Sequence, residues 1–311
     1  MQVHKDLLSL PQFKNAIITI GTFDGVHLGH QQIINQLKET ASQVNGETVI
    51  ITFHPHPRSI VGAYGGLVAL LNTMEEKIFL LDKAGIDHLV IIPFTKEFAE
   101  STADEYCRNF IYQYFKPHTI IIGYDHRFGK NRKGDYHLLE EVGLELGFDV
   151  KEIDEKVLNT VTISSTRIRS ALLESDIFTA NQFLGYPYFF EGKVESGNKI
   201  GRTLGFPTAN IQLNTEEKLI PADGVYAVSV ILKSAQENIY FGMMNIGIRP
   251  TIDGKKKLIE VNIFDFNKDI YQQVLQVKIH DFIRKEIKFD GLESLVSQLK
   301  IDAIQAKRML K

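Results

Sequence analysis

The first half of the chain alternates short apolar runs with longer stretches of helical patterning. The apolar runs are rich in isoleucine and valine, which favours β-strands; they are AIITI (16–20), TVIITF (48–53), HLVIIPF (88–94) and HTIIIG (118–123). Residues 31–43, 74–84 and 103–115 between them are helix-like. Because the strand-like runs are apolar on both faces, the alternation predicts an α/β fold with a parallel sheet covered by helices.

Three polar segments directly follow predicted strands, at residues 22–30, 54–58 and 124–132. In an open parallel sheet, ligands bind beyond the carboxyl ends of the strands. These segments are therefore expected to lie along one edge of the sheet.

The pattern changes after about residue 185. Strand-like pieces then follow one another with turn residues between them and almost no helix: YFFEGKV, GVYAVSVIL, NIYFGMMNIG, LIEVNIFDF and VLQVKIHDFI. Such a succession predicts an antiparallel barrel or sandwich. The turn LGYP (184–187) marks the expected boundary, which gives a first domain at 1–185 and a second at 186–311.

The chain is expected to close with a helix. Residues 290–293 (DGLE) resemble a capping box. Apolar residues then recur at the spacing i, i+3, i+4, i+7, which predicts one buried helical stripe: Leu292, Leu295, Val296 and Leu299.

Composition fits a soluble protein of about two domains. The chain has 311 residues, of which 44% are hydrophobic and 23% charged. A net charge of −3 argues against a dedicated nucleic-acid binder. Cys107 is alone, so no disulfide framework is expected, which suits a reducing cytoplasm. No signal peptide and no apolar run of about 18 residues is found, so we expect no membrane association.

The segment GTFDGVHLGH (21–30) carries the first candidate chemistry. His27 and His30 stand three residues apart where a helix is expected to begin, so they would share one helix face. Unpaired N–H groups and the positive end of the helix dipole favour an anion there. Two imidazole donors at this place suit a triphosphate. The alternative is an ordinary strand-to-helix turn with two solvated histidines.

Phosphates must be held without a Walker A loop, because GKVESGNK (192–199) lacks the G-K-[S/T] ending. A second candidate is ISSTRIR (163–169), in which Ser165 and Thr166 could cap a helix over 167–173. Arg167 and Arg169 would point differently, one toward phosphate and one anchoring the loop. Taken alone, this segment would be an ordinary cap with two surface arginines.

Two further segments are expected on the same edge. TFHPHPR (52–58) contains two prolines, three basic side chains and no nearby carboxylate pair, so it suits an anionic substrate better than zinc. GYDHRFGKNRKGD (123–135) combines Asp125 and Phe128 with basic residues.

The second half contains GRTLGFPTAN (201–210). Its glycines allow close approach of a nucleotide. Thr208 and Asn210 offer the oxygen ligands that hard cations prefer. Glu260 lies in an alternating strand and shares a face with Asn262. A loop ending in a strand, and a solvated strand carboxylate, are the plainer interpretations.

Taken in order, these motifs resemble the bacterial bifunctional riboflavin kinase/FAD synthetase family over nearly the whole chain. GTFDGVHLGH is similar to the nucleotidyltransferase "HIGH" signature, and GRTLGFPTAN resembles the riboflavin kinase signature; GMMNIGIRPTI (242–252) and IRKEIKF (283–289) continue the resemblance. His54 and His126 depart from the family pattern, which commonly has glutamate and phenylalanine there.

The resemblance implies a Rossmann-like nucleotidyltransferase domain of the HIGH type, followed by an antiparallel β-barrel riboflavin kinase domain with a C-terminal helix. It implies phosphorylation of riboflavin to FMN and adenylylation of FMN to FAD, with ATP and Mg²⁺. The implied catalytic residues are Glu260, His27, His30 and Arg169. The implied ATP-binding residues are Gly21, Phe23, Asp24, Gly29, Ser165, Thr166, Gly201, Gly205 and Pro207. The implied flavin-binding residues are His54, Pro55, Arg58, Asp125, Phe128 and Arg284, and the implied metal ligands are Thr208 and Asn210.

The two reactions make different chemical demands. Riboflavin attacks through a neutral alcohol, so a base such as Glu260 would help. FMN attacks through a phosphate whose second pKa is near about 6, so no base is needed. The absence of a catalytic carboxylate beside the two histidines therefore fits adenylyl transfer.

Three other functions remain open from the sequence. The barrel could have lost its kinase activity, the first domain could use another acceptor such as phosphopantetheine or nicotinamide ribotide, or the barrel could serve a flavin- or RNA-binding regulator. The expected partners are small-molecule substrates, without nucleic acid or membrane, for a monomer or weak homo-oligomer.

Overall fold

The computed structural model describes residues 1–61, 68–124, 126–153, 163–196, 200–233, 238–251 and 254–311. Its contacts divide the chain into two compact units, Met1–Ser164 and Ser165–Lys311.

The first unit is built on a parallel sheet. In the described residues six strands form it: β1 Gln2–His4, β2 Ile17–Ile20, β3 Thr48–His54, β4 His88–Pro93, β5 Thr119–Gly123 and β6 Asp149–Ile153. Their order is β1-β4-β3-β2-β5-β6, and every pairing is parallel. The predicted parallel sheet is confirmed.

Helices cover this sheet. They are α1 Leu28–Val44, α2 Pro57–Val61, α3 Met74–Lys83, α4 Lys96–Ala99, α5 Ala103–Glu105, α6 Gln113–Phe115 and α7 Tyr136–Leu146, with a π-helix at Tyr106–Tyr112 joining α5 to α6 and 3-10 turns at Leu7–Ser9 and Lys130–Arg132. The three helical stretches expected from the sequence are all present, although α1 begins before the predicted residue 31.

Alternate strand residues face two buried clusters. Ile18 and Ile20 of β2 belong to one cluster, whereas Ile17 belongs to the other. The same alternation divides Val49 from Ile50 in β3. Because helices cover both faces, the strand runs are apolar throughout, as the sequence indicated.

The second unit is a closed barrel of antiparallel strands. Its strands are β7 Phe189–Glu195, β8 Ala209–Gln212, β9 Gly224–Leu232, β10 Ile239–Thr251, β11 Gly254–Ile263 and β12 Val274–Arg284. Their order around the barrel is β10-β11-β8-β7-β12-β9. Helices α8 Ser165–Leu173, α9 Ile177–Leu184, α10 Ile200–Thr203 and α11 Leu292–Met309 complete the unit.

The compact unit starts earlier than the predicted boundary at residue 185. Helices α8 and α9 are bonded to the barrel: Ala222 N–H donates to the Leu172 carbonyl over 3.1 Å, and the Asn181 amide donates to the Ile279 carbonyl over 3.0 Å. The Tyr188 N–H in turn donates to the Asn181 side chain over 2.7 Å. These bonds explain why Ser165, rather than residue 186, opens the second unit.

Two helix starts differ from expectation. The predicted capping box at 290–293 is wrong, because Gly291 is the N-cap of α11 and no side chain caps it. Leu292 is exposed, so only the later part of the predicted stripe, including Leu299, packs on the barrel. Helix α8 begins at Ser165, so Ser165 and Thr166 lie within its first turn instead of preceding it.

None of the helices in the described ranges combines the length and apolar character that a membrane crossing requires.

Candidate active sites

The turn between β2 and α1 stands at the switch point of the sheet. Strand β2 pairs with β3 on one side and β5 on the other. The chain therefore leaves the carboxyl ends of three neighbouring parallel strands along one edge, as predicted. At such a switch point an open crevice forms, and ligands bind there in α/β folds.

The turn itself brings two imidazoles together. Phe23 and Val26 have φ angles of 47° and 36°, in the left-handed region. His27 is the N-cap of α1, and its Nδ1 atom accepts a hydrogen bond from the His30 N–H over 3.4 Å. The two histidine rings stack with centroids 3.7 Å apart. The pair therefore forms at the helix start, with His27 capping the helix instead of lying within it as expected.

His30 is held in its neutral form. Burial lowers the pKa of His30 well below its usual value, and the nearby His27 and Lys77 lower it further. The Phe23 ring lies 4.8 Å from the His30 ring, centroid to centroid. Within the described residues, the buried Nδ1 atom of His30 has no hydrogen-bond partner. A neutral imidazole donates one hydrogen bond and accepts another, so His30 can still bind a phosphate oxygen.

Gly29 permits close packing around the pair. A Cβ atom there would lie 3.3 Å from His27 ring atoms and 3.9 Å from the Ile163 carbonyl oxygen. The Ile163 carbonyl thus lies near the start of α1. Further along the 163–169 segment, on α8, Arg169 is half-buried. The exposed Arg167 places its guanidinium 5.1 Å from the Phe183 ring centroid.

Sequence reasoning missed a buried lysine beside this turn. Lys77 of α3 donates to the Thr22 carbonyl over 2.7 Å and is only 6% exposed. Asp24, also buried, accepts backbone N–H bonds from Leu71 at 2.9 Å and Asn72 at 3.2 Å. Nothing in the local pattern of 74–84 distinguishes Lys77 from an exposed helical lysine, so only the tertiary fold shows it.

The second segment of the edge follows β3. His54 ends this strand and is exposed, and Pro55 is half-buried. Arg58 in α2 is exposed, and its N–H donates to Nδ1 of His56 over 3.1 Å. The basic side chains predicted for an anionic substrate are thus on the surface at this edge.

In the third segment, the aromatic residue Phe128 is part of the core. Phe128 is 5% exposed and stacks on Tyr106 with centroids 5.1 Å apart, inside a core cluster. A Cβ on Gly134 would collide with its ring. Phe128 therefore supports this loop from beneath, whereas the prediction had it contacting a ligand. Asp125 lies outside the described residues.

The barrel carries a second polar site beside a tight loop. Phe206 N–H donates to the Gly201 carbonyl over 2.8 Å, and Gly205 has a φ of 80°. A Cβ on Gly201 would collide with the Phe206 carbonyl oxygen, so this loop requires glycine. The Asn262 amide holds the Pro207 carbonyl over 2.7 Å. The exposed Thr208 follows directly.

Strand register brings Asn210 and Glu260 together. They are directly opposite on β8 and β11. Glu195 of β7 is opposite Asn210, and Asn245 of β10 is opposite Glu260. Opposite residues in antiparallel strands have Cβ atoms about 4.5–5.5 Å apart and share a face. Glu195 and Asn245 were missed, although both occupy alternating strand positions of the same parity.

This row of polar residues lies on the outer face of the barrel. Met243 shares a face with Asn245 two residues on, and it packs with Ala227 of β9 and Ala306 of α11. A helix must pack outside a closed barrel, so the row faces outward beside α11. There the side chains of Asn210, Glu260 and Asn245 are half-buried.

Arg284 is anchored to that helix. Its Nε and Nη2 atoms donate to the two carboxylate oxygens of Asp302, with distances from 2.7 to 3.1 Å, and Nη1 donates to the Lys285 carbonyl. Asp302 is fully buried and also accepts from the Gln298 amide over 2.8 Å. The predicted flavin contact of Arg284 must therefore share this side chain with a structural ion pair.

Breaking that pair is expected to destabilise the barrel. Asp302→Ala leaves the Arg284 guanidinium without its buried partner, which costs about 3–5 kcal/mol. Chemical denaturation, monitored by a signal that reports unfolding of the barrel, measures the loss in the free energy of unfolding. Asp265→Asn is the matched control, because Asp265 forms an exposed ion pair at 3.4 Å with Lys307, which is on the same helix as Asp302. Exposed pairs contribute about 0–1 kcal/mol to stability. Equal effects of the two variants would contradict the anchoring role.

Over the described residues, no group of three or more histidine, cysteine or acidic side chains could hold a metal ion by itself.

The two units together define a class of protein. A parallel sheet with a histidine pair and a helix N-terminus at its switch point offers a binding place for nucleotide phosphates. The barrel adds a separate site with a carboxylate, amides and a glycine loop, which is the arrangement expected of a transferase with two sites.

Comparison with known proteins identifies both units. The model of the FAD synthetase family matches residues 10–167, and the model of the riboflavin kinase family matches residues 184–310.

Whole-chain relatives carry both activities in their names. The bifunctional riboflavin kinase/FMN adenylyltransferase of Haemophilus influenzae is 39% identical over 93% of this chain and 92% of its own. The Escherichia coli enzyme of the same name is 34% identical over 97% of this chain and 95% of its own. The chain belongs to the bifunctional riboflavin kinase/FMN adenylyltransferase family.

The fold agrees over the full length with a solved structure from Streptococcus pneumoniae described as a macrolide-efflux protein. The TM-score is 0.85 with 34% identity, covering 97% of this chain and 96% of that one. That description stands apart from both family models and from the named relatives.

Proposed function

We propose that this chain makes FAD from riboflavin in two steps at two separate sites. In the barrel unit, riboflavin and ATP give FMN and ADP. In the parallel-sheet unit, FMN and ATP give FAD and pyrophosphate. The observation that carries the division is the presence of two unlike polar sites, a row of carboxylates and amides on the barrel and a histidine pair at a helix N-terminus on the sheet.

The barrel site suits transfer to an alcohol. Glu260 accepts the proton of the attacking hydroxyl, which would otherwise remain a weak nucleophile at pH 7. Asn210 lies directly opposite and presents an amide oxygen or N–H to the same space. The 201–207 loop, with Gly201, Gly205 and Pro207, lets the backbone approach the nucleotide.

Thr208 and Asn210 fit a magnesium ion bound with ATP. One hydroxyl and one amide oxygen are hard donors, and Mg²⁺ commonly takes one or two protein oxygens while phosphates and water supply the rest. When bound, the ion neutralises charge on the transferred phosphate. The exposed position of Thr208 leaves it accessible for this role.

The sheet site suits attack by a phosphate. FMN is already largely ionised, so this site must orient two phosphates and stabilise charge on the departing pyrophosphate. His27, His30 and the N-terminus of the 17-residue helix α1 supply donors at one place. Gly21, Phe23, Asp24 and Gly29 shape that turn. Arg169, Ser165 and Thr166 are retained as ATP-binding proposals from the sequence.

The flavin-binding assignments differ in support. His54, Pro55 and Arg58 lie at the edge of the sheet, where His54 and Arg58 are exposed and Pro55 is half-buried, which suits contact with an anionic substrate. Phe128 and Arg284 are engaged in a core cluster and an ion pair, so we propose that they shape their sites. Asp125 is retained as a proposal from the sequence.

We further propose small-molecule partners only, a monomer or weak homo-oligomer, and a cytoplasmic location. ATP supply and the single buried, unpaired Cys107 support the last point.

A product analysis tests the function. Purified protein is incubated with riboflavin, ATP and Mg²⁺, and flavins are separated by chromatography over time. We expect FMN to appear first and FAD to follow, and both to stop when a chelator removes the metal. FMN without FAD, or no product at all, would contradict the proposal. Supplying FMN directly provides the control for the second step.

A further inference from the structure

Lys77 lies against the nucleotide-binding turn, yet none of the steps above uses it. Its side chain comes from α3, far along the chain from the GTFDGVHLGH segment. The ammonium donates to the Thr22 carbonyl over 2.7 Å, and the Thr52 hydroxyl donates to the same oxygen over 3.2 Å. The carbonyl that opens the turn is thus held from two sides.

Burying the charged ammonium group of Lys77 carries a desolvation cost. Lysine is almost never fully buried unless it is paired, and Lys77 is 6% exposed. Burial lowers the pKa of Lys77 to about 8, and the carboxylate of Asp24 opposes that shift. A neutral side chain of similar shape would avoid this desolvation cost. Stability alone therefore gives a poor reason for a lysine here.

The surrounding groups link the ammonium to the histidine pair. Asp24 is fixed by the N–H groups of Leu71 and Asn72, just before α3. Between Asp24 and the helix start, the chain passes through left-handed backbone at Val26. The charge of Lys77 also lowers the pKa of His30, which lies at the other end of the turn.

We propose that Lys77 is a positioning residue for adenylyl transfer, whose ammonium fixes Thr22 and Asp24 so that Phe23, His27 and His30 hold their phosphate-binding arrangement. The inference rests on the function proposed above for the sheet unit. Lys77 touches the turn and not the substrate, so its effect passes through the histidine pair. Misplacement of reacting groups by about 1 Å can reduce a rate on the order of a hundredfold.

The first test compares Lys77→Met with Lys83→Met, an exposed lysine on the same helix. We expect Lys77→Met to lower kcat for FAD formation from FMN by at least about tenfold, with KM for FMN changed less than about threefold. Lys77→Met should phosphorylate riboflavin at the wild-type rate, and Lys83→Met should match the wild type in both reactions. FAD formation within about twofold of wild type in Lys77→Met would overturn the inference. A wild-type protein that makes no FAD would instead overturn the proposed function.

A second test does not depend on that variant folding. As pH rises through about 8, Lys77 loses its charge, so FAD formation by the wild type should fall relative to FMN formation. Stability should rise over the same range, because deprotonation removes the desolvation cost in the folded state. If Lys77 only stabilised the fold, FAD formation and stability would change in the same direction as the pH rises.

Lys77→Arg completes this test, because guanidinium stays charged across the range. The other ionisable groups near Lys77 are Asp24 and His30 across the turn and Glu76 beside it on α3, and burial holds the pKa of His30 well below its usual value. We expect the alkaline fall in FAD formation to disappear in Lys77→Arg. If FAD formation by Lys77→Arg fell at the same alkaline pH as in the wild type, the inference would be overturned.

Discussion

His30→Ala is expected to lower FAD formation from FMN by at least about a hundredfold, which is the usual cost of losing one preorganised donor to a transition state. The half-buried His30 ring lies beside Phe23 and stacks on His27, so alanine removes a donor and leaves a gap beside its partner. Riboflavin phosphorylation should continue, and FMN should accumulate.

The control is His137→Ala, which removes an exposed histidine from α7 in the same unit. It should leave both reactions near wild type. If His30→Ala retained more than about a tenth of the FAD-forming rate, the histidine pair would not be the phosphate-binding centre. Loss of both activities in His30→Ala would contradict the separation of the sites.

Glu260→Gln should have the opposite effect. Glutamine keeps the shape of the side chain opposite Asn210 but cannot accept the hydroxyl proton, and general-base catalysis contributes about 10²–10⁴-fold. Riboflavin phosphorylation should fall by that factor, while adenylylation of supplied FMN stays within about twofold. Initial rates measured with riboflavin alone and with FMN alone separate the two effects.

Glu293→Gln, an exposed carboxylate in the first turn of α11, is the matched control for the same unit. A Glu260→Gln enzyme that phosphorylates riboflavin near the wild-type rate would show that this carboxylate is not the base. Its neighbour Glu195, on the other side of Asn210, would then be the next candidate on the row.

The features that the sequence predicted well are those with local signals. The parallel sheet follows from continuous apolar runs, and the common edge at which the three polar segments leave the sheet follows from their places after those runs. The pairing of His27 with His30 was also foreseen, but not its geometry. Because His27 caps α1, the two rings stack through the turn and not along a helix face.

The features that could not be predicted depend on tertiary register. Lys77 meets Thr22 only because α3 packs beside the β2–α1 turn. Asn245 and Glu195 join the barrel row only through strand pairing. Arg284 forms an ion pair with the buried Asp302 on α11, eighteen positions away, and the sequence pattern gave no sign of this pair.

One mixing experiment tests the central claim that two independent sites in one chain make FAD through FMN. Neither His30→Ala nor Glu260→Gln alone should convert riboflavin and ATP into FAD. Mixed in one vessel, the two variants should produce FAD, because FMN made by the intact barrel of the first is adenylylated by the intact sheet unit of the second. Folded variants that yield FMN but no FAD when mixed, or no flavin nucleotide at all, would contradict the account.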